Sequence, residues 1–241
     1  DGTLAHIVDD PSQAYAHEHS VAALGRLGGV LGQIAIVTGR PVRQALELGG
    51  FVGRPGFEKL IICGQYGAER WHADAGHVGS PDRPEAIVKL AALLPGWLAE
   101  RGADHVRLED KGLALAIHTR GIDPGLLDTL AGPLRELAGE LGLGVEPGRQ
   151  VIELRAQGMD KGQAMRALVA ETGARQVIFA GDDLGDLPAF DAVDELRRDG
   201  VAGLLIVSAS TEQDALVSRA DVVLDGPDEV ATWLEALADE F

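Results

Sequence analysis

One cysteine in 241 residues rules out an internal disulfide and suits a reducing compartment. That residue, Cys63, follows Leu60, Ile61 and Ile62, a setting that marks it as a buried strand thiol and not as a nucleophile. No apolar run reaches the ~20 residues that a membrane-spanning helix needs. No basic-then-apolar pattern opens the chain, so a cytoplasmic location is expected. Positive charge is scarce as well: 21 Lys and Arg against 38 Asp and Glu leave a formal net charge of −17. Nucleic acids and anionic membrane surfaces reward clustered Lys and Arg, so neither is an expected partner. The same deficit gives no long-range attraction to a phosphorylated metabolite. Any phosphate site must build its own positive field.

What is present is enough apolar material, 46% of the chain, for a sizeable core. Short apolar runs predict buried strands at Ile34–Val37, Leu60–Cys63, Val177–Ala180, Leu204–Val207 and Val222–Leu224. Amphipathic stretches such as Ser12–Leu27, Gly162–Thr172 and Asp228–Asp239 predict helices between them. Alternation of this kind implies an α/β fold, a Rossmann-like core with a mostly parallel sheet. Between Ser80 and Gln157 the order changes to helix, two strands, helix, two strands. That αββ-αββ pattern predicts an inserted α+β cap with its own antiparallel sheet. The Gly-, Pro- and Asp-rich stretch Ala73–Pro84 reads as the linker leading into it, and residues 156–158 as the return. The expected division is core 1–79, cap 80–157, core 158–241.

Four clusters carry chemistry. Asp1-Gly2-Thr3-Leu4 places a carboxylate in a turn sequence. Thr38-Gly39-Arg40 closes an apolar run and precedes a helix, where a hydroxyl and free backbone N–H groups can hold a phosphate oxygen. Lys161, in Met159-Asp160-Lys161-Gly162, opens another helix and would supply a point charge to a bound phosphate. Asp182, Asp183 and Asp186 follow a buried strand directly. Three carboxylates so close repel one another unless a cation or donors compensate, and hard oxygen ligands without soft ones suit Mg²⁺. The spacing speaks against an EF-hand loop, because the twelfth position from Asp182 is Val193 and not an acidic residue. Strand ends in an open α/β sheet are where ligands bind. Phosphoryl transfer asks for charge neutralisation and positioning, which these groups can supply.

In this order the clusters resemble the haloacid-dehalogenase superfamily of phosphatases, with its Asp-x-Asp-Gly-Thr opening, Thr or Ser, Lys, and Gly-Asp-Asp-x-x-Asp loop. Gly64-Gln65-Tyr66-Gly67-Ala68-Glu69, the stretch from Glu109-Asp110-Lys111-Gly112 to His118, Glu146-Pro147-Gly148-Arg149 and Phe179–Asp186 make the resemblance closest to the trehalose-phosphate phosphatase family. The likeness runs along essentially the whole chain.

The resemblance implies a Mg²⁺-dependent hydrolysis of a sugar phosphate through an aspartyl-phosphate. Asp1 would be the general acid/base with its carbonyl on the metal, and Asp182 a direct metal ligand. Asp183 and Asp186 would lie in or near its outer sphere. Thr38 and Lys161 would hold phosphoryl oxygens, with Arg40 close by. The nucleophile belongs two residues before Asp1, so the natural chain is expected to extend further, together with a central strand. Sugar recognition is expected from Glu109, Lys111, Arg149 and Glu153 in the cap and from Gln65 and Glu69 in the core, while His118 is expected to pack. Two other readings stay open: a phosphatase of another phosphosugar such as sucrose 6-phosphate, and an inactive sugar-phosphate-binding module. A monomer or weak homo-oligomer is expected.

Overall fold

A computed structural model describes residues 2–119, 121–122, 124–148, 150–156, 158, 160–209 and 214–241. The chain divides into two compact units, Asp1–Ser80 with Asp160–Phe241, and Pro81–Met159.

In the first unit the elements α1 (Glu18–Gly28), β1 (Ala35–Val37), α2 (Val42–Gly49) and β2 (Ile61–Gly64) follow one another. β1 and β2 pair in parallel. β3 (Glu69–His72) and the short β4 (Val78–Gly79) then extend the sheet as antiparallel strands. β4 falls inside the stretch read from sequence as linker. The predicted helix from Ser12 starts later, at Glu18. Asp10 caps a single 3₁₀ turn over Pro11–Gln13. The Ala16 and His17 N–H groups then donate to Leu48 O at 2.9 Å and Leu4 O at 2.6 Å, which keeps this stretch extended. Val21 and Leu27 on α1 are buried in one cluster with Ile34, Val42, Phe57, Leu60, Ile62 and Ala238.

The second unit comprises α3 (Glu85–Ala99), β5 (Arg107–Asp110), β6 (Ala114–His118), α4 (Pro124–Glu140), β7 (Leu143–Gly148) and β8 (Val151–Ala156). The four strands form an antiparallel sheet in the order β5-β6-β8-β7. Ile87, Leu90, Leu94 and Leu98 form an apolar stripe on α3, at the three- and four-residue spacing of one helix face. They pack with Leu115, Ile117, Ile152 and Leu154 from alternate positions of β6 and β8 and with Leu130 and Leu134 of α4. The intervening positions form a row of paired residues across the sheet, Glu109–Ala116–Glu153–Glu146. Because side chains alternate faces with a period of two, that row lies on the face away from the apolar cluster.

The chain then re-enters the first unit with α5 (Lys161–Thr172), β9 (Gln176–Gly181), α6 (Leu187–Arg198), β10 (Ala202–Ser208), α7 (Asp214–Val217), β11 (Val222–Leu224) and α8 (Gly226–Asp239). β9, β10 and β11 pair in parallel, in the order β11-β10-β9. Met165, Phe179, Phe190 and Leu205 fill the space between this sheet and its helices. α5 also buries Ala164 and Leu168 against Ile61 and Cys63, so it packs on the β1–β2 sheet as well. Burial pushes the Cys63 thiol above the ordinary cysteine range, the reverse of an activated nucleophile.

Candidate active site

β9 ends at Gly181, and the chain turns at once through Asp182 and Asp183 into one 3₁₀ turn, Leu184–Asp186, that leads into α6. Asp186 organises this turn. Its Oδ2 accepts the backbone N–H groups of Asp182 at 2.9 Å and Asp183 at 3.2 Å, and its Oδ1 accepts Lys161 Nζ at 2.6 Å. Lys161 is fixed in turn because it opens α5, whose cap Asp160 accepts the Gln163 N–H at 2.8 Å. Three donors on two oxygens let a carboxylate that is only 2% exposed stay charged.

Asp182 is held from another direction. Its Oδ1 accepts the Thr3 hydroxyl at 2.7 Å. At Gly2 the backbone has φ +78°, and a Cβ there would sit 1.8 Å from Asp182 Oδ2. Only glycine permits both the conformation and the approach. The Gly2 carbonyl in turn accepts the Ser208 hydroxyl, at the end of β10, at 2.6 Å. The opening segment, the ends of β9 and β10, and the start of α5 therefore converge around one carboxylate cluster. Sequence reasoning placed Thr3 in the opening cluster without a role of its own and missed Ser208; their partners lie 179 and 206 residues away.

The electrostatics follow from this crowding. Burial, with the like charges of Asp186 and Asp183, pushes the Asp182 carboxyl up to about 6. Burial also raises Asp183, with Lys161 opposing. For Asp186 burial acts upward, but Lys161 and the two backbone donors outweigh it and hold the group below the usual carboxylate range. For Lys161 burial acts downward, but Asp186, Asp183 and Asp182 outweigh it, and the ammonium is held above the ordinary lysine range. This is a turn with more negative charge than its lone lysine balances.

Thr38 follows β1, its N–H donating to Cys63 O at 2.9 Å and its hydroxyl accepting the Arg40 N–H at 3.1 Å. A Cβ on Gly67, just beyond β2, would lie 2.8 Å from Ala164 Cβ, one turn into α5. The beginning of α5, and so Lys161, is thus at the carboxyl end of β2, the end of the sheet where Thr38 also stands. Glu69 has a structural occupation: one oxygen accepts the first N–H of α2, from Val42, at 2.6 Å, and the other accepts Gln65 Nε2 at 2.8 Å. Gln65 and Tyr66 both have positive φ, at 45° and 61°, so this loop is held under backbone strain.

In the second unit Glu109, Lys111 and Glu153 come together on the charged face of the sheet. Lys111 Nζ pairs with Glu153, which is 5% exposed. Glu109 accepts a hydrogen bond from His118 Nε2 at 2.8 Å. His118 therefore does not enter the apolar cluster; it holds Glu109. That hydrogen bond, against some burial, keeps the Glu109 carboxyl below the usual range. Glu146, on the same row, is held by Arg155 Nη2 at 2.6 Å, a pair with no signal in the sequence. Asp1 and Arg149 lie outside the described residues.

The family model for trehalose-phosphatase matches residues 1–227. The trehalose-phosphate phosphatases of Mycolicibacterium paratuberculosis and Mycobacterium avium are 31% and 32% identical over 248 residues, matching 100% of this chain and 61% of their own length. The chain thus spans about three fifths of the curated relatives it matches. The solved C-terminal domain of C. albicans trehalose-6-phosphate phosphatase shares its fold, with a TM-score of 0.78 and 20% identity over 99% of this chain and 89% of that one.

Proposed function

Because the chain belongs to the trehalose-phosphatase family, we propose that it hydrolyses trehalose 6-phosphate to trehalose and phosphate with Mg²⁺. The observation that carries this reading is the Lys161–Asp186–Asp182 cluster, an ammonium and excess carboxylate held together at strand ends. With both Asp186 oxygens committed, Asp182 and Asp183 remain to face a cation. Asp182 Oδ2 has no hydrogen-bond donor among the described residues. Buried hard oxygens with unbalanced negative charge fit Mg²⁺. Asp182 and Asp183, with the Asp1 carbonyl, would hold it, and when bound it would neutralise charge on the phosphoryl oxygens.

Lys161 then places a fixed positive charge beside the phosphoryl group, and Thr38 adds a hydroxyl donor from the end of β1. The family's opening motif puts the attacking carboxylate two residues before Asp1. Its oxygen would bond to phosphorus as the sugar oxygen leaves, taking a proton from Asp1. Water would then displace the carboxylate and return a proton to Asp1. Glu109, Lys111, Glu153 and Arg149 would recognise the sugar, since carboxylates accept from hydroxyls and cations offer donors. In the core, Gln65 and Glu69 would contribute by fixing the loop between β2 and β3, alongside Arg40.

The test is phosphate release by the natural full-length protein from trehalose 6-phosphate with Mg²⁺, beside sucrose 6-phosphate as a control. Release from the first substrate and little from the second is expected. No release from either would overturn the reading, and preference for the second would move it to another phosphosugar.

A further inference from the structure

Apart from the cluster of Asp182, Asp183 and Asp186, two imidazoles converge on another carboxylate, that of Asp228. His6 Nε2 lies 3.1 Å from Asp228 Oδ1, and His17 Nε2 lies 3.2 Å from the same oxygen. The three potential ligand atoms all fall within 4.8 Å of one another. These residues come from three separate segments: the stretch before α1, the position that caps α1, and the first turn of α8. Tetrahedral bonds of about 2.0–2.1 Å require ligand atoms about 3.3 Å apart. Two of the three edges, at 3.1 and 3.2 Å, are close to that length.

We propose that His6, His17 and Asp228 bind one first-row transition ion, zinc by preference, with a fourth position open to solvent. The donor chemistry separates this site from the one around Asp182. Imidazole nitrogen suits zinc and its neighbours, whereas an all-oxygen set suits Mg²⁺. Asp228 is mostly exposed and His6 half-exposed, so the ion has a path in. His17 is the anchored member, with its side chain 25% exposed, and its Nδ1 is buried with no partner among the described residues. Nε2 is therefore the nitrogen through which this ring can be fixed.

The ion would act as a clamp. It would tie the segment leading into α1 to α8, and that segment carries Thr3 on Asp182 and the Gly2 carbonyl on Ser208. Bound zinc would thereby stabilise the arrangement of the opening segment through residues that are not part of the proposed phosphate site. The inference does not depend on which phosphate ester the enzyme cleaves.

The experiment is calorimetric titration of the natural full-length protein with ZnCl₂ alone, in saturating Mg²⁺ so that the oxygen site is filled. One equivalent of zinc should bind, and Co²⁺ in its place should give the strong visible absorption of a low-symmetry tetrahedral ion. His6→Ala and Asp228→Asn should each weaken zinc by at least about tenfold, as loss of a supporting group typically does. Both change exposed side chains, and a thermal melt without zinc should match the unaltered protein. Zinc should raise the melting temperature of the unaltered protein and not of the variants. Equal zinc affinity in variants and unaltered protein, or no zinc uptake by the unaltered protein, would overturn the proposal.

Discussion

Each unit of the molecule buries a lysine against a carboxylate, and the two pairs are built differently. Lys161 and Asp186 have side chains 13% and 3% exposed, and Lys111 and Glu153 have 16% and 7%. Asp186 spends its other oxygen on two backbone N–H groups, so its position is set by the turn itself. Glu153 stands in a row of side chains on a sheet face, where its neighbours Glu109 and Glu146 are held by His118 and Arg155. The electrostatics diverge accordingly. Burial, together with crowding by Asp186 and Asp183, raises Asp182, whereas a hydrogen bond lowers Glu109. The comparison teaches that backbone wiring suits a site that must hold unbalanced charge in one place. Side-chain wiring suits the proposed role of this face, recognition of neutral hydroxyls.

The contrast is tested first by removing the hub. Asp186→Ala leaves Lys161 buried without its closest partner and strips an acceptor from two backbone donors. Removing one member of such a pair costs about 3–5 kcal/mol. Urea unfolding should show a loss of that order. A loss below about 1 kcal/mol would mean that the turn does not depend on its carboxylate, and the distinction between the pairs would disappear.

Charge in the core should matter next for rate. Lys161→Ala and Asp182→Asn should each lower kcat by at least about 10²-fold, the usual result of deleting a positioned charge. Steady-state assay of phosphate release checks this. Near-normal turnover in either variant contradicts the roles given to both.

The raised Asp182 carboxyl predicts a pH effect of definite sign. An unfolded chain releases this proton near pH 3.9, whereas the folded protein holds it to about 6. Between those values the folded state holds more protons at this one group, so without Mg²⁺ the contribution of Asp182 to stability falls as pH rises from about 4 to about 6. Asp182→Asn removes the titrating group. The stability of the unaltered protein relative to this variant should therefore decline by roughly 1–2 kcal/mol over that window. Saturating Mg²⁺, which binds the ionised form, should offset the decline. A flat difference without metal would show that Asp182 is not under the strain its surroundings imply.

Most of the core site was legible in the sequence because its parts are local: Asp182, Asp183 and Asp186 lie in one turn, and Lys161 opens a helix. Strand positions were legible for the same reason, as unbroken apolar runs such as Ile61–Cys63. What could not be read were pairings across the chain. Thr3 on Asp182 and Ser208 on Gly2 join residues far apart in the chain, and no periodicity links them. The start of α1 was misplaced because Ala16 and His17 give their N–H groups to distant carbonyls, a tertiary effect that overrides local propensity. His118 fell in an apolar strand and was expected to pack. Its register opposite Arg107, two positions from Glu109, puts it on the charged face.

That register makes the mildest test of the contrast a single atom exchange in the second unit. Glu109→Gln keeps size and one acceptor but loses the charge and the ionic hydrogen bond with His118. Because the side chain is about one third exposed, stability should change little. If this face reads sugar hydroxyls, the substitution should raise KM about two- to tenfold, the worth of one hydrogen bond, and leave kcat unchanged. An effect on kcat of the size expected at Lys161 would place Glu109 with the charge-bearing machinery. An unaltered KM would remove it from sugar recognition.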